Sequence, residues 1–362
     1  MSAALSSQAP NARRFIALWS TLYTPKAVYL PSRERQQLER EAFKVSLRGR
    51  RRLTATKLAP DLKEQCRTAA IRLQDLYLSS ENIGFADIIT LANLSADIFS
   101  AVLQVYQSAS AVVITAADSR PMQTDLDVST TSGAPDLMQL AAAIDPLLEQ
   151  FYRQSSRGNT WKLTGFITTQ LHLAYQCLQE SLSEAEALLI EPYFRFAEDH
   201  VMMPWLSLCQ AANGHGPMAS TLCLAERLIP QMPHIAELSH RRWCQTFTDY
   251  SSERGTLLSP FIQRACLRDL RMIQVYLWRC FLENSFQIVE EELVLNCIVM
   301  NAKLKISWPM TVMGIRLLVE ETLHQLTALE KELFYPHAVK MIEAFPLDTV
   351  SPSAPSKTIY QG

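Results

Sequence analysis

Glycine is scarce in this chain, only 10 among 362 residues. Strand-rich folds need many tight turns, and loops that cradle phosphate need bare backbone, so the shortage favours long helices. No P-loop, G-x-G-x-x-G turn, G-x-S-x-G elbow, kinase signature or zinc-finger spacing occurs. No C-x-x-C pair occurs either. The eight cysteines (Cys66, Cys177, Cys209, Cys223, Cys244, Cys266, Cys280, Cys297) are scattered, mostly among apolar neighbours. A reduced cysteine there behaves as a small hydrophobe, so the expected setting is a reducing cytoplasm rather than a disulfide-stapled secreted fold.

Long hydrophobic runs are nearly absent too. The longest proline-free window without charge is Ile98 to Ala117, 20 residues, enough to cross a bilayer by length. Gln104, Gln107, Tyr106 and several serines make insertion unfavourable, and a buried helix followed by a loop is the expectation. Arg13-Arg14-Phe15-Ile16-Ala17-Leu18 resembles an export signal only superficially. The apolar run ends near Thr24, Lys26 follows, and no small-x-small cleavage site appears.

What is present is a folded composition, 48% hydrophobic and 19% charged. The expected fold is all-α, a multi-helix bundle or helical array in two regions joined by a flexible linker. A basic helical region would span 1–108, a Ser/Thr/Asp/Pro/Gly-rich linker 109–136, the main helical domain 137–345 and a disordered tail 346–362. Helical spacing predicts segments at Arg13–Tyr23, Arg33–Lys57, Asp61–Tyr77 and Phe85–Tyr106. The second region predicts 137–154, 159–181, 183–211, 217–229, 235–249, 259–283, 285–303, 309–328 and 329–344. Pro146, Pro192 and Pro204 should kink or split the helices that contain them. The stretch from Leu270 to Phe281 is apolar nearly all round, which marks helix 259–283 as central. No internal repeat is evident.

A near-neutral total charge hides strong segregation. Residues 1–60 carry 12 Lys/Arg against 3 Asp/Glu, while the other 302 carry 22 against 33. Such an arm either meets an anionic surface or folds back on its own acidic body. On one continuous helix, Arg33, Arg40, Lys44, Arg48 and Arg51 fall within an arc of about 80°, with Arg50 and Arg52 beside them. Leu38, Ala42, Val45 and Leu53 would lie opposite, and the stripe would run about 27 Å.

Such a stripe is either an ordinary solvated helix face or a docking face that suits an acidic protein surface first, nucleic acid second and a membrane surface third. Phe43 is the lone aromatic, so no platform for stacked bases accompanies it.

Three further groupings need weighing. Glu237/His240 and Glu321/His324 are two E-x-x-H pairs, the spacing that builds di-iron or di-manganese sites in helical bundles, with Glu191 or Glu198 on the helix of His200 as further ligands. Seven histidines and a Glu frequency of about 7% yield about half such a pair by chance, so capping or surface roles compete. Arg264, Arg268 and Arg271 share a face of the central helix, beside Asp269. Internal pairing is the ordinary outcome and an anion pocket the alternative. Phe194, Phe196, His200, Met202, Met203 and Trp205 cluster near Pro204. They can line a tetrapyrrole pocket but more often form core.

The leading expectation is a non-catalytic interaction or regulatory protein. Its basic N-terminal helix docks an acidic protein partner, and its helical body packs or self-associates as a homo-oligomer. The alternatives are a di-metal carboxylate bundle and a nucleic-acid-binding regulator.

Overall fold

A computed structural model describes residues 9–25, 32–77, 85–110, 133–154, 160–252, 255–295, 297 and 306–347. The protein is all-α, as its glycine shortage implies. The strands among the described residues are a two-residue antiparallel pair, β1 (Ser251–Ser252) and β2 (Gly255–Thr256). The chain divides into two compact units, Met1–Asn213 and Gly214–Gly362. The composition shift at 109–136 is therefore not where the units part. Helices following it pack with helices preceding it, and most of that stretch lies outside the described residues, as does 348–362 of the expected tail.

The first unit contains α1 (Pro10–Thr21), α2 (Ser32–Ser46), α3 (Arg48–Leu58), α4 (Leu62–Tyr77) and α5 (Phe85–Ser108). It continues with α6 (Leu137–Gln154), α7 (Thr160–Gln179), α8 (Glu184–Met202) and α9 (Trp205–Ala211). Its core lies where α4, α5, α7 and α8 meet. Helix α5 is long and apolar enough to cross a membrane by length and composition, yet 61% of that window is buried within the fold. Residues 111–117 of the apolar window lie outside the described part.

Aromatic rings fill the α5–α8 seam edge to face: Phe99 on Phe194 at 4.5 Å and Tyr106 on Tyr193 at 5.2 Å. Helix α8 opens with a capping box in which Ser183 and Glu186 satisfy each other's backbone amides. Pro192 is accommodated inside α8 and Pro146 inside α6, whereas Met203 and Pro204 end α8 and begin α9. The twin-arginine segment is α1, whose Ala12, Phe15 and Trp19 are buried; Trp19 stacks on Trp205 at 6.4 Å.

The second unit contains α10 (Ser220–Leu228), α11 (Met232–Thr246), α12 (Pro260–Glu283), α13 (Trp308–His324) and α14 (Ala328–Glu343), with a π-turn at Val289–Leu293. Helix α12 is the central one, touching α10, α11, α13 and α14. Its stretch from Met272 to Tyr276 is buried without interruption, and Trp278 and Phe281 pack on Phe334 of α14. The helix stops at Asn284, which takes the left-handed conformation (φ 49°) of a C-terminal cap. A second capping box, Thr327 with Glu330, starts α14.

One element departs from the sequence expectation with consequences for function. The basic helix does not run from 33 to 57 in one piece: it breaks at Leu47, where ψ is 137°. The amides of Arg50 and Arg51 both turn to the Leu47 carbonyl, at 2.8 and 3.0 Å. The Ser46 carbonyl instead accepts the Nε–H of Arg51 at 2.9 Å, and the Ser46 hydroxyl donates back to Phe43 O at 2.7 Å. A continuous helix would pair Ser46 O with the Arg50 amide, so the Arg51 side chain stabilises the break.

Candidate functional site

The break re-sorts the basic stripe. Helix α2 buries Leu38 and Ala42 against α8 and presents Arg33, Arg40 and Lys44 to solvent. Arg50 and Arg52 are exposed on α3, and the side chain of Arg48 lies outside the described residues. Among the described residues, Arg33, Arg40, Lys44, Arg50 and Arg52 make no ion pair, and each is solvated. Apolar side chains share this surface: Phe43 and Leu47 are each 44% exposed and Leu53 59%. On α2 the arc from Phe43 through Arg40 to Lys44 carries no carboxylate, since Glu34, Glu39 and Glu41 fall outside it.

Arg51 and Leu53 correct the expectation. Arg51, assigned to the docking stripe, is 1% exposed and stands inside the unit. Its guanidinium donates to Tyr193 Oη at 3.1 Å and lies over the Tyr106 ring at 4.8 Å. It cannot meet a partner from there, while Leu53, assigned to the buried face, points outward. The arm is also tied to its own body by Glu186, which accepts from Lys57 at 3.0 Å and Thr54 at 3.1 Å. Burial alone would push the Glu186 carboxyl up. The Ser183 amide, Lys57 and the hydroxyls of Ser183 and Thr54 outweigh this and hold it below its ordinary value.

The four candidate metal ligands do not converge. Among the described residues no group of three or more His, Cys, Asp or Glu is arranged to hold a metal. Glu237 is exposed, whereas His240, on the next turn of α11, is buried with its ring 3.6 Å from Cys244 Sγ, and burial lowers its pKa. Glu321 is occupied by Arg242, whose guanidinium bridges Glu321 at 2.7 Å and Glu320 at 2.8 Å. His324 approaches Glu321 at 3.7 Å from the exposed side. An arginine thus occupies the carboxylate that the second pair would offer to a metal.

Of the arginines on α12, Arg264 is exposed and Arg268 pairs with Asp269 at 3.2 Å. Arg271 also has interactions of its own, and it acts with Arg268 on the Asp269 carboxyl.

Spacing in the sequence singles out Glu198 and His200 but not their partners, which meet three consecutive residues of α8. Glu198 faces His172 of α7 at 3.4 Å, Asp199 accepts from Tyr23 after α1 at 2.8 Å, and His200 meets Asp145 of α6 at 2.7 Å. The indole of Trp205 donates to Nδ1 of His200 at 2.9 Å. With Nδ1 accepting, Nε2 must carry the proton and donate to Asp145. The pair outwardly matches a catalytic Asp–His dyad, but the nitrogen that would act as base is already occupied. The cluster ties α6, α7 and the segment after α1 to α8. Around it the aromatic residues form filled core, Phe196 packing on Trp205 at 5.4 Å and on Tyr23 at 5.4 Å.

A cavity of about 220 Å³ opens between the start of α4 and the end of α7, lined by Asp61, Gln65, Cys177, Leu178, Glu180 and Ser181. Small-molecule sites usually occupy about 300–1,000 Å³, so this cleft suits a side chain better than a cofactor.

No curated protein and no solved structure matches the chain. A family model for phycobilisome proteins matches residues 217–345, about a third of the chain. The matched stretch covers α10 to α14, so the second unit is similar to an all-helical, globin-like family.

Proposed function

We propose that this chain is a non-catalytic helical interaction and regulatory protein of the cytoplasm, and that it docks an acidic protein surface through the exposed face of α2 and α3. The observation that carries the reading is the set Arg33, Arg40, Lys44, Arg50 and Arg52. These five solvated cations have no internal counter-charge among the described residues, and Phe43, Leu47 and Leu53 are exposed on the same segment of chain. Complementary charge raises association rate and selects partners, and half-exposed apolar groups between the charges supply a surface that excludes water. Carboxylates at Glu34, Glu39 and Glu41 flank the face, which suits a patterned protein better than a uniformly anionic duplex or bilayer. Similarity of the second unit to proteins named for an assembly, the phycobilisome, is in keeping with a body that works by packing on other proteins.

The test compares the full chain with an Arg33→Glu/Arg40→Glu/Lys44→Glu variant as baits in native extract, eluting with salt from about 0.05 to 0.5 M. The wild type should retain acidic proteins that elute early in the gradient, and the variant should lose them while keeping its helical circular dichroism. Retention of the same proteins by both baits would refute the reading. So would a preference for duplex DNA or phosphatidylserine vesicles over protein.

A further inference from the structure

The first unit is internally polarised. Residues 1–60 carry 12 basic against 3 acidic groups, and residues 61–213 carry 8 against 18, so the two parts nearly cancel. Cancellation in total is not pairing in space. Lys57 meets Glu186, but Arg33, Arg40 and Lys44 make no ion pair with their own unit's carboxylates among the described residues. On the same unit, Asp61, Glu64, Glu180 and Glu184 are exposed at the end of α7 and the starts of α4 and α8. Asp61 and Glu180 line the one concavity described above, whose volume of about 220 Å³ admits a side chain.

We infer that the acidic surface met by the basic face is this cleft on a second copy of the chain, with Arg40 and Lys44 of one copy facing Asp61 and Glu180 of the other. The inference rests on the docking role proposed for α2 and α3, and it names the partner. An arginine entering a cleft flanked by two carboxylates gains charge-assisted hydrogen bonds that neither surface finds at home. Phe43 and Leu47, set between the cations, provide the apolar centre that a stable interface requires. Face and cleft both belong to one unit, so a two-fold arrangement satisfies both contacts at once and closes as a dimer. A head-to-tail arrangement would leave one face and one cleft open at the ends.

The full chain is followed by sedimentation equilibrium. The wild type should dimerise at about 0.05 M salt and dissociate at about 0.5 M, as screening shortens the reach of the charges. Two variants are compared, Arg40→Glu/Lys44→Glu and Asp61→Lys/Glu180→Lys. Each alone should self-associate at least about tenfold more weakly. Mixed in equal amounts they should pair one to one, because the first keeps an intact cleft and the second an intact face. A Phe43→Ser/Leu47→Ser variant should weaken the dimer by about tenfold without changing its salt dependence.

A wild type that stays monomeric at low salt would overturn the inference, as would variants that dimerise unimpaired or folded variants that fail to pair when mixed. If acidic proteins still depend on Arg33, Arg40 and Lys44 for capture while the mixed variants fail to pair, only the identity of the partner is lost. If capture fails too, the docking role itself falls.

Discussion

Replacing Arg51 should destabilise the first unit, whereas replacing its neighbours on the arm should not. The guanidinium makes two hydrogen bonds inside the protein, to Ser46 O at 2.9 Å and Tyr193 Oη at 3.1 Å, and lies over the Tyr106 ring. Hydrogen bonds from a charged donor contribute about 1.5–3 kcal/mol each, and a desolvated cation–π contact adds up to about 2 kcal/mol. Against this stands the cost of burying a cation, several kcal/mol, which Arg51→Ala would recover. The balance favours a loss of about 2–3 kcal/mol for Arg51→Ala, since the Ser46 carbonyl is left unpaired and a cavity opens. Arg51→Met, which refills the volume, should cost about 1–2 kcal/mol. Arg40→Ala and Lys44→Ala should fall within about 0.5 kcal/mol of wild type. Hydrogen exchange read on peptides from α3 and α8 reports opening of this unit directly, where a whole-chain melt would average two units. An Arg51→Ala variant with unchanged protection in both helices would refute the account of the break at Leu47.

Two further outcomes follow from paired carboxylates. Glu186 is held below its ordinary value of 4.5, so its stabilising effect is complete above that pH and disappears as pH falls through the lower, folded-state value. Glu186→Gln should cost about 1 kcal/mol at neutral pH through the capping box and flatten this part of the acid denaturation curve; an unchanged acid limb would contradict the assignment. Arg242→Ala removes a bridge to Glu320 and Glu321. It should cost only about 0.5–1 kcal/mol in thermal unfolding, because the pair is partly solvated and screened. It should also leave the protein without stoichiometric iron or manganese by elemental analysis, and metal uptake by this variant would revive the di-metal reading.

The helical architecture was legible because it depends on local signals. The apolar run from Leu270 to Phe281 identified the central helix, and Pro204 the division between α8 and α9. Ser183-x-x-Glu186 and Thr327-x-x-Glu330 carry capping-box spacings in the sequence, and both boxes form. The grouping of helices was not legible. A composition shift at 109–136 marks a change in local chemistry, but helices on either side of it pack together through contacts distant in sequence. The pairs His172–Glu198 and His200–Asp145 were hidden for the same reason, being 26 and 55 residues apart.

The basic stripe shows most sharply where periodicity stops being informative. On an unbroken helix Arg51 lies beside Arg33 and Leu53 lies opposite, so a helical wheel places the cation outside and the leucine inside. One extended residue at Leu47 turns the following helix by roughly half a turn relative to that wheel. The structure accordingly holds Arg51 inside and Leu53 out. The break is itself maintained by the side chain it buries, through the Arg51–Ser46 bond. A single residue thus sets which side chains of the second helix lie inside the unit and which lie in solvent. Charge counted along the chain cannot separate the two, because Arg40 and Arg51 contribute equally to the count while Arg40 is exposed and Arg51 is 1% exposed.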